Sequence, residues 1–149
     1  VNQAAVIAAL LARPFEGLYL RPYIDPVGIP TVGYGATFYE DGVRVTLKDP
    51  PITRERAEEL LQWEMCKCVR EAYRLCPVLY LWGEQAVAAI ADFAFNCGTG
   101  ALAASTLRRR IAADMHAEAK AELMKWVRGG GRVLPGLVKR RAAECALIG

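Results

Sequence analysis

The stretch Glu16-Gly17-Leu18-Tyr19-Leu20-Arg21-Pro22-Tyr23-Ile24-Asp25-Pro26-Val27-Gly28-Ile29-Pro30-Thr31-Val32-Gly33-Tyr34-Gly35 decides the fold, because it interrupts a chain that is otherwise helical in pattern. From Gly17 to Pro50, prolines and glycines punctuate short β-favouring pieces such as Thr31-Val32-Gly33-Tyr34 and Val43-Arg44-Val45-Thr46. This predicts a small meander of short strands over residues 16–52, with Glu40-Asp41-Gly42 as one of its turns.

Upstream, Ala4 to Ala12 is an unbroken apolar run of nine residues, which predicts a helix over 1–13 stopped by Pro14. Nine residues fall well short of the roughly 20 that a bilayer span needs, and no other run is longer, so no stable membrane span is expected. The chain begins with Val1 rather than Met, as a mature or trimmed form would, and any upstream targeting segment is not seen. Downstream, Thr53 follows Pro50-Pro51 as a helix N-cap, and the pattern runs through Leu60, Leu61 and Met65 toward Leu75 before Pro77. Such a helix of about 20 residues is about 30 Å long at 1.5 Å per residue, enough to bridge two lobes. Further helices are predicted at 84–96, 105–113, 115–127 and 136–147, with Gly129-Gly130-Gly131 as a loop. The order is therefore α+β in one domain over 1–149. A small N-terminal antiparallel β lobe is joined by the long helix to a larger all-helical C-terminal lobe, the first helix packs on the helical lobe, and a cleft lies between.

With 54% hydrophobic and 23% charged residues, the 149-residue chain can bury a core and is not disordered. Its net charge of +3 hides an asymmetry: residues 1–100 sum to −3 and residues 101–149 to +6. A basic C-terminal third favours an anionic partner, and without a recognised module nucleic acid is not expected. Arg108-Arg109-Arg110 and Lys139-Arg140-Arg141 read as a solvated basic face, with one arginine as the internal partner of a cleft carboxylate as the alternative. The five cysteines, Cys66, Cys68, Cys76, Cys97 and Cys145, lack paired CxxC spacing, and His116 is the only histidine, so neither a metal nor another cofactor is expected. Buried free thiols are the expectation, with one or two bridges as the alternative in an oxidising compartment. Trp63, Trp82 and Trp126 read as core aromatics, and His116 as a surface residue with nothing nearby in sequence to recruit it.

The chemistry sits in the opening stretch. Glu16 follows the first helix, where the negative end of the helix dipole and the apolar neighbours Phe15 and Leu18 disfavour ionisation. Asp25 lies nine residues on, in a turn that solvent reaches, and is expected to be ionised. Thr31 opens a strand that brings its hydroxyl back toward Asp25. One carboxyl held as acid and one as base is what glycosidic cleavage requires, and inverting enzymes keep the two about 6.5–9.5 Å apart to admit a water. An ordinary surface Asp and a helix-terminal Glu remain the alternative on chemistry alone.

The spacing Glu-Gly, Asp after eight residues, Thr after five more and then Val-Gly-Tyr-Gly resembles the phage-type lysozymes, the muramidase endolysins that include the T-even phage lysozyme. Asp92-Phe93-Ala94-Phe95-Asn96-Cys97-Gly98-Thr99-Gly100, Ser105-Thr106-Leu107, Trp126 and Leu134-Pro135-Gly136-Leu137-Val138-Lys139-Arg140-Arg141 with Glu144 extend the resemblance over nearly the whole chain. It implies a lysozyme-like fold and hydrolysis of the β-1,4 bond between N-acetylmuramic acid and N-acetylglucosamine in peptidoglycan, with inversion. Glu16 is then the general acid, Asp25 the base and Thr31 the assisting hydroxyl, while Phe95, Thr106 and Thr37 line the saccharide cleft. The implied partner is the glycan strand, met by a monomer. The implied source is a phage or prophage product made in the host cytoplasm and acting on the wall in the periplasm, with the export route left open. Many relatives carry a histidine after Gly-Tyr-Gly, where this chain has Ala36. A lytic transglycosylase on the same polymer and a catalytically silent wall-binding module are the rival readings.

Overall fold

The computed structural model describes residues 2–149. The first helix, α1 (Gln3–Ala12), starts where the Asn2 side chain accepts the Ala5 N–H at 3.0 Å, which satisfies one of the free N–H groups of the first turn. Its buried face is entirely alanine, from Ala4 and Ala5 through Ala8, Ala9 and Ala12. Small side chains let it pack closely on α2 (Arg54–Leu75) and on α4 (Glu84–Cys97), whose own buried face includes Ala86, Ala88, Ala89, Ala91 and Ala94. The chain does not break at Pro14 but tightens into a 3-10 turn over Arg13–Phe15, since proline at the start of a turn sacrifices no hydrogen bond.

Two strands follow, β1 (Tyr19–Ile24) and β2 (Pro30–Gly33), antiparallel, with Tyr23 opposite Thr31 and Ile24 opposite Pro30. The strand expected at Val43–Thr46 does not form. A single bridge joins Phe38 to Arg44. Asp49 then takes the Thr46 N–H at 2.9 Å and its hydroxyl at 2.7 Å, so the backbone there turns instead of pairing. The turn at Glu40-Asp41-Gly42 is present, with Gly42 at φ 83° and its N–H on the Tyr39 carbonyl. Val32, Ala36, Val45 and Leu60 make a small core of their own under this lobe.

Helix α2 runs 22 residues behind its Thr53 cap, whose hydroxyl accepts the Arg56 N–H at 3.0 Å. It touches β2 at one end and α1 and α4 along its length, as a lobe-bridging helix must. The helical body continues with α3 (Leu79–Trp82), α4, α5 (Thr99–Ala104), α6 (Thr106–Ala112), α7 (His116–Leu123) and α8 (Pro135–Ala146). The short α3 and α5 are additions to the sequence reading, too brief to show a 3.6-residue period. Helix α7 ends at Leu123, not 127, and the glycine triplet turns a two-residue hairpin, β3 (Arg128–Gly129) with β4 (Arg132–Val133). Phe93, Leu102, Leu107, Ile111 and Leu123 are fully buried in the core of this body. Among the described residues no helix is long and apolar enough to cross a membrane. All five cysteines are free thiols; Cys68 and Cys76 are buried, and Cys66, on another side of α2, is half-buried.

Candidate active site

Glu16 is the first residue beyond the 3-10 turn, extended at φ −104° and ψ 138°, and so projects away from the helix end. Its setting is not the apolar one expected from Phe15 and Leu18. The Arg140 guanidinium, 3% exposed, donates from Nη1 to Glu16 Oε1 at 2.8 Å. The same guanidinium donates from Nε and Nη2 to the two oxygens of fully buried Asp92, at 3.0 and 2.8 Å. Burial opposes the charge on Arg140, but its bonds to Asp92 and Glu16 outweigh this and raise its pKa. A basic face at 139–141 is thus the wrong reading for two of its three members. Arg140 and Arg141 are both buried, and the alternative of an internal partner for a cleft carboxylate holds.

Asp25 sits half-buried in the turn between β1 and β2. Its Oδ1 accepts the N–H groups of Val27 and Ile29 at 2.9 and 2.8 Å, and its own N–H bonds the Ile29 carbonyl. These bonds fix the carboxylate from one side. The Thr31 hydroxyl does not bond Asp25 itself. It donates to the Ile29 carbonyl at 2.9 Å, one peptide away, and the residue is only 3% exposed. Gly28 completes the turn at φ 89°, a conformation that suits glycine.

Tyr23, on β1, has its phenol pushed above its ordinary pKa by burial first, then by Tyr19, Asp25 and Glu16. Tyr19 stacks on that ring with centroids 4.0 Å apart. The sequence reading did not single out Tyr23, which lies on β1 two residues before Asp25.

Thr37 and Phe95 come together from opposite lobes. With Tyr34, Leu60 and Glu64 they line a cavity of about 100 Å³ between the sheet and the helical body. Phe93, two residues away, is wholly buried and meets Trp126 edge-on at 5.1 Å, so only Phe95 of the pair reaches the cleft. Thr106, at the start of α6, has its hydroxyl bonded by Arg109 at 2.9 Å and is not among the residues lining that cavity. Glu16 opens on a separate groove with Phe15, Asn96, Leu137 and Arg140. At Ala36, Val32 and Ala36 exchange both N–H···O bonds, at 2.9 and 2.8 Å, and the Ala36 methyl packs in the small core.

The tryptophans are half-buried rather than central. Trp82 recruits His116, which was read as an unengaged surface residue, by stacking on it at 3.8 Å, and donates to Asp114 at 2.6 Å. Thirty-odd residues separate these partners, beyond the reach of any local pattern.

The phage lysozyme family profile matches residues 13–144. The endolysin of Acyrthosiphon pisum secondary endosymbiont phage 1 is 34% identical over 143 residues, which are 93% of this chain and 92% of that protein. The endolysin of Bacillus phage B103 is also 34% identical, over 140 residues; there the chain, 93% covered, spans 51% of its relative's length. Among solved structures, a P22 lysozyme mutant superposes with a TM-score of 0.77 at 29% identity, covering 99% of this chain and 96% of that one. Ordered two-lobe architecture, family match and relatives agree, and the chain belongs to the phage lysozyme family.

Proposed function

We infer that this phage lysozyme is a peptidoglycan hydrolase that cuts the β-1,4 bond between N-acetylmuramic acid and N-acetylglucosamine. Glu16 is the general acid. Arg140 holds its Oε1, which leaves Oε2 to deliver a proton to the leaving glycosidic oxygen as the bond to the anomeric carbon breaks. The same guanidinium then stabilises the carboxylate that Glu16 becomes. Asp25 is the base. With Oδ1 occupied by two backbone N–H groups, Oδ2 is the oxygen that takes a proton from the attacking water. The Thr31 hydroxyl has spent its hydrogen on the Ile29 carbonyl, so toward that water it acts as an acceptor and helps to aim it. Attack from the face opposite the leaving group inverts the anomeric centre.

Phe95 and Thr37 supply walls from the two lobes for the glycan strand, and Thr106, outside that cavity at the start of α6, extends the helical side. The protein works as a monomer, on the wall and from the periplasmic side, as a phage or prophage lysis product. The observation that carries this reading is Glu16 held by the buried Arg140, together with Asp25 fixed in the β1–β2 turn, in a chain of this family.

Turbidity of outer-membrane-permeabilised cells tests it. The wild type clears the suspension, and Glu16→Gln, folded by circular dichroism, is at least about 100-fold slower, in line with the usual worth of a general acid. A Gln variant of full activity removes Glu16 from the mechanism.

A further inference from the structure

Glu144 is a fully buried carboxyl group that the proposed chemistry does not use. It lies on α8, one turn beyond Arg140 and Arg141, and faces Asp92 on α4. Among the described residues, no N–H or O–H donor reaches either of its oxygens with hydrogen-bond geometry. Arg141 Nε comes within 3.2 Å of Oε1 but is misaligned and is itself without a hydrogen-bond partner. The other Arg141 nitrogens are engaged with Cys97 Sγ at 3.3 Å and with Asn96 Oδ1. Two buried carboxyl groups that face each other are joined by a proton carried on one of them.

The groups around Glu144 are Asp92, Asn96 and Cys97 on α4, Arg140, Arg141 and Cys145 on α8, Glu16 beyond Arg140, and on the α7 side the Lys120 backbone, whose carbonyl accepts from Cys145. Burial penalises a charge on Glu144, and with no aligned donor among the described residues on either oxygen the carboxyl is held neutral.

We propose that Glu144 is a positioning residue for the general acid: its neutral carboxyl donates to Asp92, which holds the Arg140 fork aimed at Glu16. Asp92 accepts from Arg140 on both oxygens, so an O–H from Glu144 pins it from the opposite side and prevents it from rotating away. Arg140 then has one nitrogen left for Glu16, at a fixed angle. An ionised Glu144 would instead repel Asp92 and compete for both arginines. Burial acts first and the facing Asp92 second to keep the proton on Glu144, against the pull of the arginines.

This proposal rests on the reading of Glu16 as general acid, and carboxyl-selective 13C NMR separates the two. In the wild type the Glu144 signal stays that of a protonated acid at pH 7, and the Glu16 titration curve is retained in Glu144→Gln, whose amide replaces the donor. In Glu144→Leu the Glu16 curve is displaced. Lysis follows: Glu144→Gln keeps kcat within about threefold, while Glu144→Leu loses at least about tenfold in kcat with KM little changed and an altered pH profile. A Glu144 signal of an ionised carboxylate at pH 7 overturns the proposal, even if Glu144→Leu does not fold. So does a Glu144→Gln variant whose Glu16 titration departs from the wild type. A wild type that leaves cell walls intact counts against the hydrolase reading, and the NMR arm still decides the role of Glu144.

Discussion

Replacing Arg140 by Ala removes one side chain and strands two others. Asp92, with no exposed surface, loses both of its charge-assisted bonds, 3.0 and 2.8 Å long, and Glu16 loses the third at 2.8 Å. Charge-assisted bonds are worth about 1.5–3 kcal/mol each, so the two on Asp92 alone amount to about 3–6 kcal/mol, and breaking a buried pair by removing one partner costs about 3–5 kcal/mol. Glu16, 24% exposed, regains some solvation by water and adds little. The expected cost is therefore about 3–5 kcal/mol, or at roughly 2–4 °C per kcal/mol for a chain of this size a fall in Tm of about 6–20 °C. Urea unfolding followed by circular dichroism measures it. Combining Arg140→Ala with Asp92→Asn should recover part of the loss, because the neutral amide no longer leaves a charge in the interior. An Arg140→Ala protein within about 1 kcal/mol of the wild type would refute the reasoning, since it would mean that Asp92 finds solvent or another partner at no cost.

Ala8, fully buried on the α1 face that packs on α4, has no room for a larger side chain; Ala8→Leu should destabilise by about 1–3 kcal/mol in the same unfolding assay. The buried carboxyl of Glu144 makes a pH prediction. Its folded pKa lies above the ordinary carboxylate value of about 4.3, so from there upward the folded chain retains a proton that the unfolded chain has released. Stability contributed by this group is complete below that value and declines as pH rises through neutrality, by up to about 1.4 kcal/mol per pH unit. Glu144→Gln carries no such proton, so unfolding from pH 5 to pH 8 should show the wild type losing ground to the variant; a constant difference across that range contradicts it.

The long-range order of the fold was legible because its signals are local and strong. Thr53 after two prolines caps α2, and the proline- and glycine-punctuated stretch after Gly17 marks the sheet. The Val43–Thr46 strand misled because β-propensity there is outweighed by one side chain, Asp49, capturing the backbone from three residues away. Helices of four and six residues, α3 and α5, carry too few turns to declare a period.

At the site, residue types and spacing make Glu16, Asp25 and Thr31 candidates, while their surroundings were not legible in the sequence. Arg140 and Asp92 are 48 residues apart, and Arg140 and Glu16 are 124 apart. A run of basic residues reads as a solvated face unless acidic partners buried on other elements are known. Three consecutive residues on a helix point in different directions, which is why Lys139 is exposed while Arg140 and Arg141 turn inward.

We propose that Glu16 and Asp25 act on opposite sides of one glycosidic bond, with water as the nucleophile. Digesting purified sacculi and recording both the mass and the anomeric NMR signal of the newly formed muramic acid ends tests it most directly. The expected ends have gained one water and appear first as the α-anomer. Ends lighter by that water, as the anhydro form is, or a first product with β configuration, would contradict it.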